Sequence, residues 1–372
     1  MQNTSLKNHY NNPDNRTAYF CVPADFKKET LEKLAALNKK YKNAKVDEVY
    51  GNLPQTPYGS GRSSTSLINV NLFSLKKYIK ECNKNGIVFN YTFNANTLAN
   101  REFNNAGKKK MLLFIKKLYN TGVRRFTVSL PSIISLINNH FKDVEVVLSV
   151  VNNITSEYQL KEFLEAGKVI RAYVAEEMNR RPRKLREIVA STEVPIATIV
   201  NPFCIFQCAY RHHHYNFMSF RDKNDKIDVI EYYGARCGQI KVNNSDEVIK
   251  IPWIRPSDID RYIDIGVGWF KVAGREMIKD DADIPKAIEI YMSKKYEGDL
   301  MDVINNFSNK HYNMIFSLDS KSMDPYFDYI FNKSTDCSRE LCEKCGMCKK
   351  FSKFVKVDRK YLDMLPKYEP LK

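Results

Sequence analysis

The sequence predicts an α/β protein built as a (β/α)8 barrel, and three observations support this fold class. Short apolar runs alternate with amphipathic helical patterns from Ala18 to about Asn306. Near-continuous apolar strands that are joined by helices pair in parallel. The alternation occurs eight times, which is the number of units that closes a barrel. An open, doubly wound sheet is the alternative architecture.

Each element is placed by the length and periodicity of its apolar residues. In the first helix, Leu31, Leu34 and Ala35 recur at i, i+3 and i+4, which defines one apolar face. The predicted strands are Ala18–Pro23, Lys45–Gly51, Ile87–Phe93, Val123–Ser129, Val144–Val150, Val169–Ala175, Pro195–Val200 and Gly268–Ala273. The predicted helices are Lys27–Tyr41, Leu72–Asn85, Lys108–Asn120, Ser132–His140, Glu157–Gly167 and Arg183–Ser191.

One connection is too long for a simple crossover between neighbouring strands. It lies between the seventh and eighth strands and predicts an insertion at residues 201–263. From about Ser308 the composition changes to a cysteine-rich and lysine-rich segment. We therefore predict two domains, a barrel over residues 1–306 that includes the insertion and an extension over residues 307–372.

Composition and charge narrow the class of protein and of partner. The 372 residues are 43% hydrophobic and 27% charged, which is typical of a folded globular protein. The net charge of +16 favours an anionic small molecule, RNA or an acidic protein as partner. A lysine-rich surface without a binding role is the alternative. No run approaches the ~18 apolar residues of a membrane helix, and Met1–Arg16 has no signal-peptide pattern, so we expect a cytoplasmic protein.

Seven of the nine cysteines fall into two groups with the spacing of metal ligands. In a reducing compartment, clustered cysteines indicate metal binding rather than disulfides. The C-terminal group reads C-x4-C-x2-C-x2-C and comprises Cys337, Cys342, Cys345 and Cys348. Its tight spacing favours a ferredoxin-type 4Fe–4S cluster, and a closed tetrahedral zinc site is the alternative.

The other group lies in the insertion and comprises Cys204, Cys208 and Cys237. Because Cys204 and Cys208 follow the seventh strand, we expect them at the C-terminal face of the barrel, where active sites are built. A fourth ligand could be Cys21 on the first strand, which is otherwise an ordinary buried thiol.

Three consecutive histidines follow these cysteines, namely His212, His213 and His214. On an extended segment adjacent side chains point in opposite directions, so a single metal ion rarely takes all three. We expect one of them to transfer protons or contact the substrate, and we count Arg211 with them as a candidate catalytic residue.

Three cations are candidates for holding an anionic substrate or donor. Arg62 follows the pair Gly59 and Gly61, whose backbone amides can approach an anion. Lys271 and Arg275 come at the end of the eighth strand, where barrels often bind anions. The alternative for these cations is salt bridging to Glu176, Glu177 or Asp258.

Several of these segments together resemble a known family. The run from Asn201 to Asn216 resembles the cysteine-bearing stretch of the proteins named peptidase family U32. The resemblance spans roughly residues 18–290 and rests on order and spacing. Its other segments are Val49–Gly51, Gly59–Arg62, Phe89–Asn94, Asn179–Arg180, Ile254–Asp258, Gly266 and Phe270–Arg275.

The resemblance implies a barrel that holds a four-cysteine 4Fe–4S cluster. It also implies oxygen-independent hydroxylation of quinone precursors or RNA bases, with prephenate implicated as oxygen donor, whereas other relatives are described as collagenase-type peptidases. The cysteine spacing here departs from that of the family. Three cysteine ligands, Cys204, Cys208 and Cys237, would leave one iron open for substrate.

We therefore predict an iron–sulfur oxidoreductase with two 4Fe–4S clusters that hydroxylates or otherwise modifies an anionic small molecule or an RNA base. An electron-donor protein is a further expected partner. One alternative is a peptidase or other hydrolase, although the zinc-protease motif H-E-x-x-H is absent from the sequence. Another is a non-catalytic iron–sulfur partner subunit.

Overall fold

The computed structural model describes residues 16–54, 56–220, 232–308 and 315–358, and its centre is a closed barrel of eight parallel strands. The strands neighbour one another in chain order, and the first pairs with the eighth. This confirms the (β/α)8 prediction and excludes the open sheet. The barrel strands are β1 (Ala18–Pro23), β2 (Ala44–Gly51), β3 (Val88–Phe93), β4 (Arg125–Val128), β5 (Glu145–Leu148), β6 (Arg171–Tyr173), β7 (Ile196–Ile199) and β8 (Trp269–Lys271).

Helices cover the outside of the barrel, and α2 shows why its residues form one. Leu75, Tyr78, Ile79 and Cys82 are buried at helical spacing, and the Asn71 side chain accepts the Ser74 N–H at the start. The barrel helices are α1 (Lys28–Lys40), α2 (Leu72–Lys84), α3 (Asn105–Thr121), α4 (Pro131–His140), α5 (Glu157–Glu165) and α6 (Pro182–Ala190). These six confirm the predicted helices.

The long connection between β7 and β8 is an insertion, as predicted. Its described part holds four helices, α7 (Arg211–Phe220), α8 (Tyr232–Asn243), α9 (Asp246–Lys250) and α10 (Ile259–Ile263). After β8 the chain forms α11 (Ile284–Ser293) and α12 (Leu300–Ile304). The C-terminal part forms α13 (Asp324–Asn332), α14 (Arg339–Cys345), α15 (Met347–Phe351) and the small strand pair β9 (Phe316–Ser317) and β10 (Lys356–Val357).

A second hydrophobic core attaches the C-terminal part to the insertion. Trp253 of the insertion packs on Phe327 of α13, with ring centroids 5.4 Å apart. Leu300 and Ile304 of α12 belong to the same core. The insertion and the cysteine-rich segment are therefore packed together, while the predicted domain boundary at residue 306 stays a prediction. Among the described residues, no helix is both long and apolar enough to cross a membrane.

Candidate active site and metal centres

A cavity of about 360 Å³ lies at the C-terminal end of the barrel. Its wall is formed by the residues that follow several barrel strands and by helices α7 and α8 of the insertion. This is the end at which (β/α)8 enzymes place their catalytic groups. The lining includes Tyr50, Arg62, Glu176, Cys204, Cys208, Arg211, His214, Tyr215, Cys237, Lys271 and Arg275.

Three of the predicted cysteine ligands, Cys204, Cys208 and Cys237, share this cavity. The loop that carries the first two is anchored by Asn201, whose Nδ2 donates to the carbonyl oxygens of Ala273 at 3.0 Å and Ile304 at 2.9 Å. This anchor fixes the loop after β7 against the end of β8.

The donor set fits a thiolate-ligated centre. Burial raises the pKa of the Cys204 thiol well above its usual value, and the nearby Glu176 carboxylate adds to the shift. A bound cation would offset both effects and favour the thiolate. Among the described residues, no three Cys, His, Asp or Glu side chains are gathered closely enough to ligate one metal ion.

Cys21 is not brought together with these cysteines, because its side chain packs inside the barrel rather than at the cavity. The Tyr173 hydroxyl donates to Cys21 Sγ at 3.0 Å, and Cys21 is fully buried. Burial, and next the carboxylate of Glu48, raise the pKa of this thiol. The geometry therefore gives no support to Cys21 as the fourth ligand.

The three histidines are separated by the helix on which they lie. The expectation of an extended segment is wrong, since α7 begins at Arg211 and successive side chains of a helix point about 100° apart. His212 and His213 are exposed, whereas His214 lines the cavity and stacks on Tyr233 with ring centroids 5.3 Å apart. Among the predicted histidines, the structure brings His214 alone to the site.

Arg211 and Glu176 form a buried pair at the cavity wall, with 3.8 Å between Arg211 Nη2 and Glu176 Oε2. Arg211 Nη2 also donates to the Ile205 carbonyl at 3.1 Å, so this arginine supports the cysteine loop. Glu176 Oε1 accepts from the Tyr215 hydroxyl at 3.4 Å. Glu176 was expected only as a salt-bridge partner, although a residue that soon follows a barrel strand, as Glu176 follows β6, can be predicted to line the cavity.

The three predicted anion-binding cations all line the cavity but differ in their partners. Arg62 Nε donates to Glu276 Oε2 at 3.0 Å, and this carboxylate raises the pKa of Arg62. Arg275 Nη1 donates to Asn52 Oδ1 and, at 2.7 Å, to Thr92 Oγ1, which are both neutral.

Lys271 has fewer polar contacts than Arg275. Its Nζ lies 3.8 Å from the centre of the Tyr50 ring, and no described side chain or carbonyl makes a hydrogen bond or ion pair with it. Burial, and next the Arg275 guanidinium, lower the pKa of Lys271 to about 7. Burial also lowers the pKa of Arg275 to about 10. The alternative of salt bridges to Glu176, Glu177 or Asp258 is not observed for Lys271 and Arg275 in the described residues.

The four C-terminal cysteines line a second cavity of about 350 Å³ beside α13. Lys333 Nζ donates to Cys337 Sγ at 2.8 Å, and the Tyr329 hydroxyl lies 3.3 Å from Cys345 Sγ. Burial raises the pKa of Cys348 to about 11. A cationic and a hydroxyl donor beside two of these sulfur atoms suit thiolate ligands of a metal centre, for which the four side chains would have to move closer together.

Comparison with known proteins agrees with the resemblance seen in the sequence. The model of peptidase family U32 matches residues 29–233, which is more than half of the chain. The protein belongs to peptidase family U32. An uncharacterized protease of Methanocaldococcus jannaschii is 25% identical over 336 residues, which cover 89% of this chain and 96% of that protein.

A solved structure of the same family supports the fold. The U32 peptidase Mk0906 matches with a TM-score of 0.50 and 13% identity, over 69% of this chain and 93% of that chain. The family name and these two relatives refer to peptidases, whereas the cavity of this U32 protein is lined by three cysteines and by cations.

Proposed function

We propose that this U32 protein is an iron–sulfur oxidoreductase that modifies an anionic small molecule in the barrel cavity. The reaction is an oxygen-independent hydroxylation or a related redox step, and a donor molecule supplies the oxygen atom. The observation that carries the proposal is one cavity lined by three cysteines together with two buried cations, Lys271 and Arg275. Such cations are neutralised when a carboxylate or phosphate binds.

Each set of cavity residues has a separate role in this proposal. Cys204, Cys208 and Cys237 would hold the barrel cluster, and its remaining ligand would come from the substrate or from another group. When bound, the cluster supplies electron transfer and a Lewis-acidic iron. Lys271 and Arg275 bind and orient the anion, and His214, which lines the same cavity, exchanges a proton with it. Tyr50 and Tyr215 exclude water from the reacting groups.

The C-terminal cysteines hold the second metal centre, a 4Fe–4S cluster or a zinc ion. A cluster there would accept electrons from a donor protein and pass them toward the barrel cavity. A zinc ion would stabilise the C-terminal segment, because metal binding by clustered thiolates adds directly to folding free energy.

The first experiment measures iron, sulfide and zinc in protein purified without oxygen. We expect about eight irons per chain, falling to about four when Cys204, Cys208 and Cys237 are all changed to Ser. Changing Cys337, Cys342, Cys345 and Cys348 to Ser removes the other four, or removes zinc. The matched control is Cys82→Ala, a buried cysteine of α2 outside both cavities, which leaves the metal content unchanged. Protein without iron and sulfide would contradict the oxidoreductase proposal and favour a peptidase assay as the next step.

An RNA base is the second candidate substrate, and the surface of α2 and α3 favours it. These neighbouring helices carry nine lysines and one acidic residue, Glu81. All nine lysines are exposed and suit a phosphate backbone. They are Lys76, Lys77, Lys80, Lys84, Lys108, Lys109, Lys110, Lys116 and Lys117.

Salt-dependent binding separates an RNA substrate from a small molecule. We expect the affinity for a polyuridine oligonucleotide to fall steeply with salt, and the slope to decrease by about 0.7 for each phosphate contact that is lost. The change Lys108, Lys109 and Lys110 to Glu should flatten the slope. The same change at Lys33, Lys39 and Lys42, which are exposed on or near α1, should not. If both sets of changes flatten the salt slope equally, the effect is one of overall charge. The surface of α2 and α3 is then excluded as the RNA-binding site.

A further inference from the structure

The loop that joins the two cysteines of the barrel cavity is held by the C-terminal cysteine segment. Arg339 Nε donates to the Phe206 carbonyl at 2.9 Å, and the Arg339 backbone N–H donates to Gln207 Oε1 at 2.9 Å. Phe206 and Gln207 lie between Cys204 and Cys208, and Arg339 lies between Cys337 and Cys342. A residue of the C-terminal cysteine segment therefore contacts the loop that carries Cys204 and Cys208.

Arg339 is itself fixed by a two-pronged ion pair. Its Nη1 and Nη2 donate to Glu247 Oε1 and Oε2 at 2.6 and 2.7 Å. Both side chains are partly buried, which gives such a pair a defined geometry. The guanidinium is thus held in place before it meets the cysteine loop.

The neighbouring residues dock the same segment on the barrel. The Asp336 carboxylate accepts the N–H groups of Arg183 at 3.1 Å and Lys184 at 2.8 Å, at the start of α6. The Cys337 N–H donates to the Arg180 carbonyl at 3.3 Å. We call residues 336–339 the docking segment, because it joins the loop after β6 to the loop after β7, and both loops line the cavity.

The cysteine loop needs such support because its backbone is strained. Gln207 has a φ of +49°, a left-handed conformation that non-glycine residues adopt at a cost and keep only when their surroundings fix it. In the described residues, Arg339 bonds to both positions: its side-chain Nε donates to the Phe206 carbonyl, and its backbone N–H donates to the Gln207 side chain.

We infer that the C-terminal cysteine group acts on the barrel site through Arg339, a positioning residue for the ligand loop of Cys204 and Cys208. If Cys337 and Cys342 hold a metal, the residues between them, Arg339 included, would be immobilised, and Arg339 would then keep the loop of the two barrel cysteines in one fixed arrangement. The identity of the barrel metal rests on the proposed function, whereas the coupling holds with either iron or zinc at the C-terminal group.

The test compares thiol reactivity and metal content in Arg339→Ala with those of the full-length wild-type chain. Iodoacetamide labelling of Cys204 and Cys208, read by peptide mass spectrometry, should become about 10-fold faster, since the hydrogen bond from the charged Arg339 side chain to the Phe206 carbonyl is lost. Barrel iron should fall by at least half, while the metal of the C-terminal group is retained. Changing the four C-terminal cysteines to Ser should accelerate the labelling of Cys204 and Cys208 to a similar extent.

Arg339→Ala could accelerate labelling merely by unfolding the C-terminal segment. A second variant, Gln207→Gly, therefore tests the same contact from the side of the cysteine loop. Glycine adopts the left-handed backbone without strain but removes the acceptor of the Arg339 N–H, so labelling should again accelerate. The matched control is Arg261→Ala, which breaks a different ion pair between the insertion and the C-terminal part, that of Arg261 on α10 with Asp328 on α13, and should leave labelling unchanged.

Two results would overturn the coupling. One is wild-type labelling and iron content in both Arg339→Ala and Gln207→Gly. The other is an equal acceleration in Arg261→Ala, which would reduce the effect to general loosening. If the wild-type chain holds no iron, the proposed function fails, but the labelling comparison between metal-loaded and chelator-treated protein still decides whether Arg339 couples the two groups.

Discussion

Charged side chains are buried at both ends of the barrel, but the partners of these charges differ between the two ends. At the end where the strands begin, Glu48 forms an ion pair with Arg171, with 2.6 Å between Oε1 and Nη2, and accepts from Arg125 Nη1 at 2.9 Å. Arg125 also pairs with Asp47 and Glu145. At the end where the strands finish, Lys271 and Arg275 have no carboxylate within bonding distance in the described residues.

This difference separates a structural role from a binding role in the same fold. A buried ion network with matched partners contributes to specifying the folded state, and removal of one member leaves an uncompensated charge. Buried cations without an anionic partner are costly in the free protein and are retained where a ligand supplies the anion. The comparison therefore predicts opposite responses to mutation at the two ends.

The largest effect is expected from Glu48→Gln. This change leaves Arg171 and Arg125 buried without their shared carboxylate and should lower the free energy of unfolding by about 3–5 kcal/mol. Urea-induced unfolding measures the loss. The control Asp47→Asn removes a more exposed carboxylate from the same network and should cost less. A loss below about 1 kcal/mol for Glu48→Gln would contradict the structural role.

Lowering the pH should reveal how much the ionised Glu48 carboxylate stabilises the wild-type protein. Burial would raise the pKa of Glu48, but Arg171 and Arg125 outweigh it and lower the pKa to about 2. The stabilisation is therefore fully present above the ordinary value of 4.5 and is lost as the pH falls toward 2. In Glu48→Gln this part of the acid dependence should disappear.

A smaller effect of a different kind is expected from Lys271→Met. The affinity for an anion such as malonate should fall about 10- to 100-fold, because a hydrogen bond to a charged group contributes about 1.5–3 kcal/mol. Stability should stay equal or rise, since a desolvated charge is removed. Calorimetric titration and thermal unfolding measure the two quantities.

The matched control for that change is Lys286→Met. Lys286 also lies on an aromatic ring, 3.7 Å from the centre of Phe307, but it is exposed and outside the cavity. Its replacement should leave malonate binding unchanged. A large loss of stability in Lys271→Met, with malonate binding unchanged, would show that Lys271 has a structural role and no binding role.

The fold was predictable because its signals are local. Each barrel strand is a short apolar run, and every predicted strand end lies within two residues of the observed one. The cations at the end of β8 and the cysteines after β7 were predictable for the same reason, since residues that follow parallel strands meet at one end of the barrel.

The remaining features depend on contacts between distant segments, which periodicity does not reveal. Arg339 meets Phe206 across 133 positions of the chain, and Glu48 meets Arg125 across 77. Cys21 illustrates a further limit, because a cysteine on a barrel strand can be a ligand at the cavity or a buried thiol, and its position along the strand decides. Which of the three histidines reaches the cavity was not predictable either, because it depends on the helix that begins at Arg211 and turns His214 toward the cavity.

A further expected effect is a pH dependence that has opposite signs for binding and for stability. Because the pKa of Lys271 is about 7 in the folded protein against an ordinary value of 10.5, the unfolded chain binds more protons between these values. The contribution of Lys271 to stability therefore rises with pH from about 7 to 10.5. Anion binding requires the ammonium form, so affinity should weaken as the pH rises above about 7.

Subtracting the Lys271→Met curves from the wild-type curves isolates both trends. Calorimetric titrations with malonate and urea unfolding curves at pH 6, 7, 8 and 9 should give differences that change in opposite directions. If both differences are flat across this range, the amine has a bonded anionic partner in solution, and the contrast between the two barrel ends is lost. If binding alone changes, a titrating group of the cavity other than Lys271 controls anion recognition.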